Sequence, residues 1–419
     1  AHMALALRLA ARGLYSTEPN PRVGCVLVRD GEVVGEGWHR RAGEPHAERL
    51  ALAAAAEQAR GATAYVTLEP CAHHGRTPPC ADGLIEAGVA RVVAAIEDPN
   101  PQVAGQGLQR LRDAGIQTEV GLLEADAEAI NPGFLKRMRT GLPYVRCKLA
   151  MSLDGRTAMA SGESQWITGE PARLDVQRLR ARSSVVMTGV GTVLADDPSL
   201  NVRIDADQLH GCAPVRQPLR VVLDTRLRTP PRARLVMLEG EALVVCGECA
   251  PADIEAELRD AGADVLRMPQ LGGRIDLRAA LNALAERGCN EVLIESGATL
   301  AGHALKSGLV DELVVYVAPH LMGDAARGLV ELPGLERMSD RLGFVFAEGA
   351  GLQGMALPLM AAIPISVVAT CLYNGSGGRS AAGGRRTAAS RIAGSRCAPV
   401  LGRCASSCGP ADRPAAAAG

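Results

Sequence analysis

The chain has 419 residues, enough for two or three domains, and 47% of them are hydrophobic, enough for real cores. A formal net charge of −1 and an aromatic content of 2% argue against nucleic acid or a membrane surface as partner, because neither a positive field nor stacking platforms are available. No apolar run is long enough to span a bilayer, and the 12 cysteines favour metal chemistry in a reducing cytoplasm over a disulfide scaffold.

The first third of the chain alternates predicted helices and strands. A helix over residues 4–12 precedes a hairpin whose Asp30-Gly31 pair is typical of a tight β-turn. The next predicted elements are helix 47–60, strand 64–68, helix 81–87, strand 89–96, helix 107–114, strand 117–120 and helix 123–138. This alternation predicts an α/β/α layered domain. Gly141-Leu142-Pro143 breaks the last helix, so the boundary of the first domain is expected at residue 142.

A candidate zinc site lies within this part of the chain. His46, Cys71 and Cys80 can supply one nitrogen and two sulfur ligands, which leaves a fourth tetrahedral position for water. Glu48 lies two residues after the histidine and can move protons without being a ligand. His-x-Glu followed by Pro-Cys and a second cysteine is the signature of zinc-dependent deaminases. A lone His-x-Glu or a lone buried cysteine would mean little, but the three parts in order predict a catalytic zinc site.

The spacing of the two cysteines departs from the short Pro-Cys-x-x-Cys form. Residues 72–79 are inserted between them and must loop out and return. Both ligand-bearing segments are predicted to fall at helix starts, where the helix dipole favours a thiolate over a thiol.

The second part of the chain is predicted to be another α/β unit, residues 143–360. Strands are predicted at 144–151, 184–188, 219–223 and 292–295, and Glu170-Pro171 is typical of a helix start. The small residues 296–303 predict either a loop whose backbone approaches phosphate or, more simply, a tight turn. Residues 361–419 show no helical or strand period and are predicted to be a low-complexity, disordered tail, whose Cys371, Cys397, Cys404 and Cys408 are interpreted as incidental thiols.

Both halves together resemble the bifunctional deaminase/reductase family of riboflavin biosynthesis. The resemblance covers roughly residues 3–350. The motifs that carry it are Pro-Asn-Pro-Arg-Val-Gly at 19–24, Gly-Glu-Pro-His-Ala-Glu at 43–48, the stretch 68–80 with its insertion, Asp-Pro-Asn-Pro at 98–101, and the stretches 148–157, 161–168, 192–198 and 295–300. It implies a cytidine-deaminase-like domain followed by a domain similar to dihydrofolate reductase.

The resemblance also implies two consecutive reactions. The first is zinc-dependent removal of an amino group from 2,5-diamino-6-ribosylamino-4(3H)-pyrimidinone 5′-phosphate, with Glu48 as the proton shuttle. The second is reduction of the ribosyl group to ribityl by NADPH. A homo-oligomer in the cytoplasm is expected, with a small phosphorylated substrate as the partner.

Site residues of the second half are expected from the resemblance. For NADPH they are Ala150, Trp166, Thr192, Asp196, Thr225 and the loop of Gly297, Ala298, Thr299, Leu300, Ala301, Gly302 and His303. For the sugar-phosphate substrate they are Ser164, Arg180, Leu200, Arg203 and Glu295. Asn20, in the first half of the chain, is also expected to bind substrate. Lys148 is a candidate for orienting the sugar, although an ordinary lysine at a strand edge explains it equally well. The two arginines suit phosphate because a guanidinium fork matches its oxygens.

One departure from the family concerns the last strand of the reductase sheet. Residues 349–354 are Gly-rich where a final strand is expected, so this strand and a dimer contact through it come into question. Two alternatives remain open from the residues alone. One is a deaminase of a base in tRNA or DNA with a non-catalytic second half, which the balanced charge disfavours. The other is a zinc-stabilised scaffold, which a free Glu48 beside the ligands disfavours.

Overall fold

The computed structural model describes residues 1–72, 78–101, 103–346 and 365–370. Two sheets, both in one compact unit, organise these residues. The elements of the first part are α1 (His2–Ala11), β1 (Gly24–Arg29), β2 (Glu32–Trp38), α2 (Ala47–Ala55), β3 (Thr63–Val66), α3 (Cys80–Glu86), β4 (Arg91–Ala94), α4 (Gln106–Asp113), β5 (Gln117–Val120), α5 (Glu124–Ile130) and α6 (Pro132–Thr140).

The first sheet has five strands in the order β2-β1-β3-β4-β5. β1 is antiparallel to β2 and β3, whereas β3, β4 and β5 run parallel. One face of the sheet packs against α2, α3 and α4 through alanine, valine and leucine side chains, and the other packs against α1, α5 and α6. The predicted α/β/α layering of the first domain is therefore confirmed.

The second sheet has nine strands, which form the frame of the remaining chain. Its order is β11-β10-β9-β8-β14-β6-β15-β18-β17. The strands from β11 to β15 run parallel, and β18 is antiparallel to both of its neighbours, β15 and β17. The elements are β6 (Tyr144–Ser152), β7 (Arg156–Ala158), α7 (Glu170–Arg182), β8 (Val185–Gly189), α8 (Val190–Asp196), β9 (Leu219–Leu223), α9 (Arg234–Met237), β10 (Ala242–Gly247), α10 (Ala252–Asp260), β11 (Asp264–Met268), β12 (Gln270–Leu271), β13 (Arg274–Ile275), α11 (Leu277–Glu286), β14 (Glu291–Glu295), α12 (Ala298–Lys306), β15 (Glu312–Ala318), β16 (Arg327–Gly328), β17 (Val345–Phe346) and β18 (Ile365–Thr370).

Alternating side chains of the parallel strands face two separate cores. Cys147, Met187 and Val245 point to the core that α11 and α12 cover. Val186, Val222 and Val244 point to the other face. Strands buried on both faces explain why these segments read as continuous runs of valine, leucine and isoleucine.

Two details of the predicted elements are wrong. The helix expected over residues 123–138 is two helices, because Asn131 leaves the helical path before Pro132 and bonds the backbone of Arg22 through Oδ1 (2.8 Å) and Nδ2 (2.8 Å). The tail expected from residue 361 contains β18, which pairs antiparallel with β15. Isoleucine, valine and threonine supply the β-branched residues that favour a strand there. A strand thus does occupy the position that was in question, and residues 371–419 lie outside the described part of the chain.

None of the helices in the described part of the chain combines the length and the hydropathy of a membrane span.

A buried charge cluster joins the two sheets. Glu291, at the start of β14, is 1% exposed and accepts a hydrogen bond from Arg22 of the first part of the chain at 2.8 Å. Arg146 of β6 donates to its other carboxylate oxygen, and Arg182 Nε lies 3.4 Å from the same oxygen. Burial alone would raise the pKa of Glu291, but the three guanidinium groups together hold it well below its usual range.

Hydrogen bonds around this cluster extend the junction. Glu18 accepts from Ser184 Oγ at 2.5 Å and from the Asn290 amide at 3.1 Å. Asn290 donates through Nδ2 to the Pro19 carbonyl at 2.8 Å, and Lys136 pairs with Asp311 at 2.6 Å. The segment before β1 is therefore held by polar contacts to the beginning of β14.

We expect Glu291→Gln to destabilise the protein by about 3–5 kcal/mol, because two buried arginines and the partly buried Arg182 then lose their shared counter-charge. Urea unfolding followed by circular dichroism measures this loss. Glu119→Gln is the matched control, since Glu119 also pairs with an arginine, Arg91, but at the surface, and it is expected to cost less than about 1 kcal/mol. Equal effects of the two substitutions would contradict a dominant role for the buried cluster.

Candidate active sites

The three zinc ligands predicted from the sequence come together at the starts of α2 and α3 and in the segment that follows β3. The ligand atoms of His46, Cys71 and Cys80 all lie within 4.8 Å of one another. Nδ1 of His46 is 3.6 Å from Sγ of Cys71 and 3.3 Å from Sγ of Cys80. One imidazole nitrogen and two sulfurs at these separations fit a zinc ion with one further position for water.

Helix starts bring two of these ligands to the site. His46 is the residue before α2, and Cys80 is the first residue of α3. The backbone amide of Cys80 donates to Sγ of Cys71 at 3.3 Å. A hydrogen bond from the Cys80 thiol, followed by the contacts with His46 and this amide, lowers the pKa of Cys71, which favours the thiolate form that a zinc ligand needs.

Helix α2 lies unusually close to the sheet beneath it. A Cβ atom at Gly37 of β2 would lie 2.2 Å from the carbonyl oxygen of Ala47, the first residue of the helix. At Gly35 it would lie 2.3 Å from the carbonyl oxygen of Ala51. Because these two glycines have no side chains, the helix that begins directly after His46 can pack this close to the sheet.

Glu48 lies in the first turn of α2 beside the ligands and is 3% exposed. Burial, followed by the nearby Cys71 thiolate, raises the pKa of Glu48 to about 7. A carboxyl group with a pKa near neutrality can both accept and donate a proton, which is what a proton shuttle requires.

Two further groups support the zinc site. Glu69 is buried and accepts four backbone N–H bonds, from Asp98, Gly105, Gly107 and Leu108, at 2.8–3.1 Å. It thereby anchors the strand end that leads to Cys71. Asn20 donates to Nε2 of His39 at 3.1 Å, and the His39 ring lies 5.2 Å from the His46 ring. The structure therefore places Asn20 near the zinc ligands and away from the second sheet's cleft.

A cleft of about 1380 Å³ opens at the carboxyl ends of β6, β8, β9 and β14. Clefts of parallel α/β sheets bind ligands at this edge. The volume exceeds the usual range for one small ligand, about 300–1,000 Å³, so that a cofactor and a substrate fit side by side. The predicted residues that line it are Lys148, Ala150, Ser164, Trp166, Arg180, Thr192, Asp196, Leu200, Arg203, Thr225, Glu295, Gly297, Ala298, Thr299, Leu300 and His303.

Ala301 and Gly302 are the predicted cofactor residues of the second half that the structure does not bring to this cleft. The loop expected over 297–303 is in fact the start of α12, which begins at Ala298. Because a helix turns by 100° per residue, its second turn points Ala301 into the core. Gly302 packs against the backbone of Glu331, where a Cβ atom would lie 2.0 Å from the carbonyl oxygen.

The floor of the cleft holds a buried ion pair. Nε and Nη2 of Arg180 donate to the two carboxylate oxygens of Glu295 at 2.6 and 2.9 Å. Burial would raise the pKa of Glu295, but Arg180 outweighs it, so Glu295 stays ionised. Burial likewise lowers the pKa of Lys148, although Glu295 opposes that shift. Lys148 Nζ lies 5.7 Å from the centre of the Tyr316 ring.

One positioning contact in the cleft was not predicted from the sequence. The guanidinium of Arg173 lies over the Trp166 ring, 5.0 Å from its centre, and donates to the Thr168 carbonyl at 2.9 Å. Trp166 is 72% exposed, so this contact is what the structure offers to orient it. The sequence feature that could have indicated this contact is the short separation between Trp166 and Arg173, which lies at the start of α7.

Comparisons with known proteins match the two parts of the chain to two different families. Residues 1–96 match the family model of the cytidine and deoxycytidylate deaminase zinc-binding region, and residues 143–349 match that of the RibD C-terminal domain. The riboflavin biosynthesis protein RibD of Escherichia coli (strain K12) is 55% identical over 352 residues, a match that covers 83% of this chain and 95% of that protein.

Two solved structures are similar over most of their length. RibD of Acinetobacter baumannii, form 1, has a TM-score of 0.78 and 47% identity, covering 89% of this chain and 98% of that one. A diaminohydroxyphosphoribosylaminopyrimidine deaminase/5-amino-6-(5-phosphoribosylamino)uracil reductase of Thermotoga maritima has a TM-score of 0.73 and 31% identity, covering 88% of this chain and 98% of that one.

We expect Cys71→Ala to lose zinc, because two remaining ligands bind it far more weakly than three. Metal content per chain, measured by inductively coupled plasma mass spectrometry, should be equimolar in the wild type and close to zero in the variant. Cys249→Ser is the control, since Cys249 is exposed and belongs to the second part of the chain. Retention of zinc by Cys71→Ala would contradict the assigned ligand set.

Proposed function

The chain belongs to the RibD family of riboflavin biosynthesis, whose members are bifunctional deaminase/reductases, and from this premise we propose which substrate each half takes and which residues act on it. The deaminase uses zinc and the reductase uses NADPH. We assign residues 1–142 to the deaminase and the chain from residue 143 to the reductase.

The proposed substrate of the deaminase is 2,5-diamino-6-ribosylamino-4(3H)-pyrimidinone 5′-phosphate, and the deaminated product is the substrate of the reductase. The name of the Thermotoga maritima relative, which pairs these two activities, supports this proposal. The observation that carries it here is the presence of two separate sites in one chain, a three-ligand zinc site and a large cleft with a buried Arg180–Glu295 pair.

In the deaminase, His46, Cys71 and Cys80 hold the zinc ion. Zinc, when bound, lowers the pKa of a water molecule toward neutrality. Glu48 would take a proton from water as the water oxygen bonds to the ring carbon, and would deliver it to the amine that leaves as the C–N bond breaks, for which its raised pKa suits it. We assign Asn20, whose side chain donates to the buried His39 next to His46, to substrate binding in this half.

In the reductase, the product sugar lies over the Arg180–Glu295 pair. NADPH, when bound, would supply a hydride to C1′ of the sugar, while the C1′–O4′ bond breaks and O4′ takes up a proton. Arg203, Ser164 and Leu200 bind the sugar phosphate side, and Lys148 orients the sugar from the floor. Trp166, Thr192, Asp196, Thr225, Ala150 and the residues from Gly297 to Leu300 with His303 line the cofactor side. Ala301 and Gly302 support that wall from behind.

We further place the protein in the cytoplasm as a homo-oligomer. None of the eight cysteines that the structure describes forms a disulfide, which suits a reducing compartment. Val120, Leu122 and Leu123 form an exposed apolar group at the edge strand β5, a kind of surface that favours association. Light scattering coupled to size-exclusion chromatography measures the oligomeric state.

We expect Glu48→Gln to retain zinc and fold but to lose deamination by at least about 100-fold, because an amide cannot accept the proton from water. Ammonia release from the diaminopyrimidine measures this loss. Reduction of the deaminated compound, followed by NADPH absorbance, should remain within about twofold of wild type as the internal control. Near-normal ammonia release would show that another group is the base.

We expect Arg203→Ala to weaken binding of the reductase substrate by roughly tenfold or more, the effect of losing one charge-assisted contact of about 1.5–3 kcal/mol. NADPH affinity should barely change. Arg232→Ala is the control, because Arg232 is exposed and does not line the cleft. Equal weakening of substrate and NADPH would place Arg203 on the cofactor side instead.

A further inference from the structure

The strand order determines which strand ends lie at each end of the reductase cleft. Lys148 lies on β6 and Glu295 at the end of β14, and these two strands are neighbours. β8 follows β14, and β9, which ends just before Thr225, follows β8. With neighbouring strands about 4.8 Å apart, the end of β9 lies about 10 Å from that of β14 and about 14 Å from β6.

Given the proposed function, this order of strand ends determines which way the cofactor lies along the cleft. The nicotinamide must lie against the sugar, which is placed at Lys148 and Glu295. A dinucleotide bound in an extended form then carries its adenosine half toward the other end of the cleft, past β8 to β9 and β10. Groups at that end meet the adenosine ribose, where NADPH carries a 2′-phosphate and NADH a hydroxyl.

Most cationic groups of the cleft are already engaged. The arginines that line it are Arg173, Arg180, Arg203, Arg228, Arg234, Arg274 and Arg327. Arg180 is paired with Glu295, and Arg234 with Asp197 at 3.3 Å. Arg173 bonds the Thr168 carbonyl and stacks on Trp166, and Arg203 bonds the Asn201 side chain at 2.8 Å.

The side chains of the other three cleft arginines have no hydrogen-bond acceptor or carboxylate partner among the described residues. Arg327 lies on β16, which pairs with β7, the strand that follows β6. It is therefore at the sugar end of the cleft. Arg228 and Arg274 belong to the opposite end.

The turn that carries Arg228 is fixed to the end of β9. Oδ2 of the buried Asp224 accepts from the backbone amide of Thr229 at 2.6 Å and from its hydroxyl at 2.8 Å. This closes the turn between them and leaves Arg226 and Arg228 exposed on it. Of these two arginines, only Arg228 lines the cleft.

The hairpin that carries Arg274 adjoins the same place. Gly247, the last residue of β10, donates to the Thr225 carbonyl at 3.1 Å, and Gln270 of the hairpin packs directly over Gly247. Arg274 pairs with Leu271 in this hairpin and is exposed. Two unpaired guanidinium groups thus flank the β9–β10 end of the cleft from two different loops.

We propose that Arg228 and Arg274 form a phosphomonoester site that binds the 2′-phosphate of NADPH and makes the reductase select NADPH over NADH. A phosphate dianion can accept from two guanidinium groups at once, and both contacts are charge-assisted. The remaining cleft arginines have partners of their own or lie at the sugar end. NADH, which presents a neutral hydroxyl at this position, gains nothing from either arginine.

The test measures cofactor binding by the full-length protein without substrate, using nucleotide fluorescence for NADPH and NADH. Variants are Arg228→Ala, Arg274→Ala and the double variant, with Arg226→Ala as the matched control from the same turn. We expect the double variant to weaken NADPH by at least about tenfold and each single variant by less, while NADH affinity stays within about twofold. Arg226→Ala should leave both affinities unchanged.

Two outcomes would overturn the proposal. Equal weakening of NADPH and NADH would mean that the arginines contact a part shared by both cofactors, such as the pyrophosphate. Unchanged NADPH affinity in the double variant would mean that the 2′-phosphate lies elsewhere. A wild-type protein that binds neither nucleotide would instead contradict the reductase assignment, so the two failures are distinguishable. Thermal unfolding of each variant verifies that the fold is intact.

Discussion

A single buried carboxylate sets the arrangement of the two catalytic halves. Glu291 can remain ionised away from water because arginines from both halves surround it, and its removal would leave their positive charges without the carboxylate that they share. Arg22 comes from the segment before β1, whereas Arg146 comes from β6 and Arg182 from the end of α7. Such a cluster tolerates little displacement, so it acts as a fixed point between two domains that each have their own core.

The same strand links this fixed point to the reductase chemistry. β14 begins at Glu291 and ends at Glu295, the partner of Arg180 on the floor of the cleft. Four residue steps of strand span about 13 Å, so a short rigid element connects the domain junction to the site. The position of the sugar-binding floor is thereby defined relative to the deaminase half as well as to its own sheet.

The zinc ligands could be predicted from the sequence because short motifs encode their chemistry and seldom occur together by chance, and the sheets because alternating elements have few packing solutions. The junction could not, since Arg22 and Glu291 are 269 residues apart and nothing local marks them as partners. Ala301 and Gly302 were assigned to the cofactor wall as parts of a loop. Helical periodicity from Ala298 onward would have turned both away from it. β18 was not predicted, because the low-complexity composition of the residues that follow it led to the assignment of all residues from 361 onward to the tail.

The contact between Gly37 and the carbonyl of Ala47 has a consequence for how variants of this protein should be interpreted. A methyl group at residue 37 would push the start of α2 outward, and His46 and Glu48 would move with it by a similar distance. Metal coordination is sensitive to shifts of a few tenths of an ångström. A substitution on β2, a strand that contributes no ligand, would therefore lower metal binding or deamination in the same way as a substitution at the metal site itself. The sheet surface under the helix is in this sense part of the deaminase site.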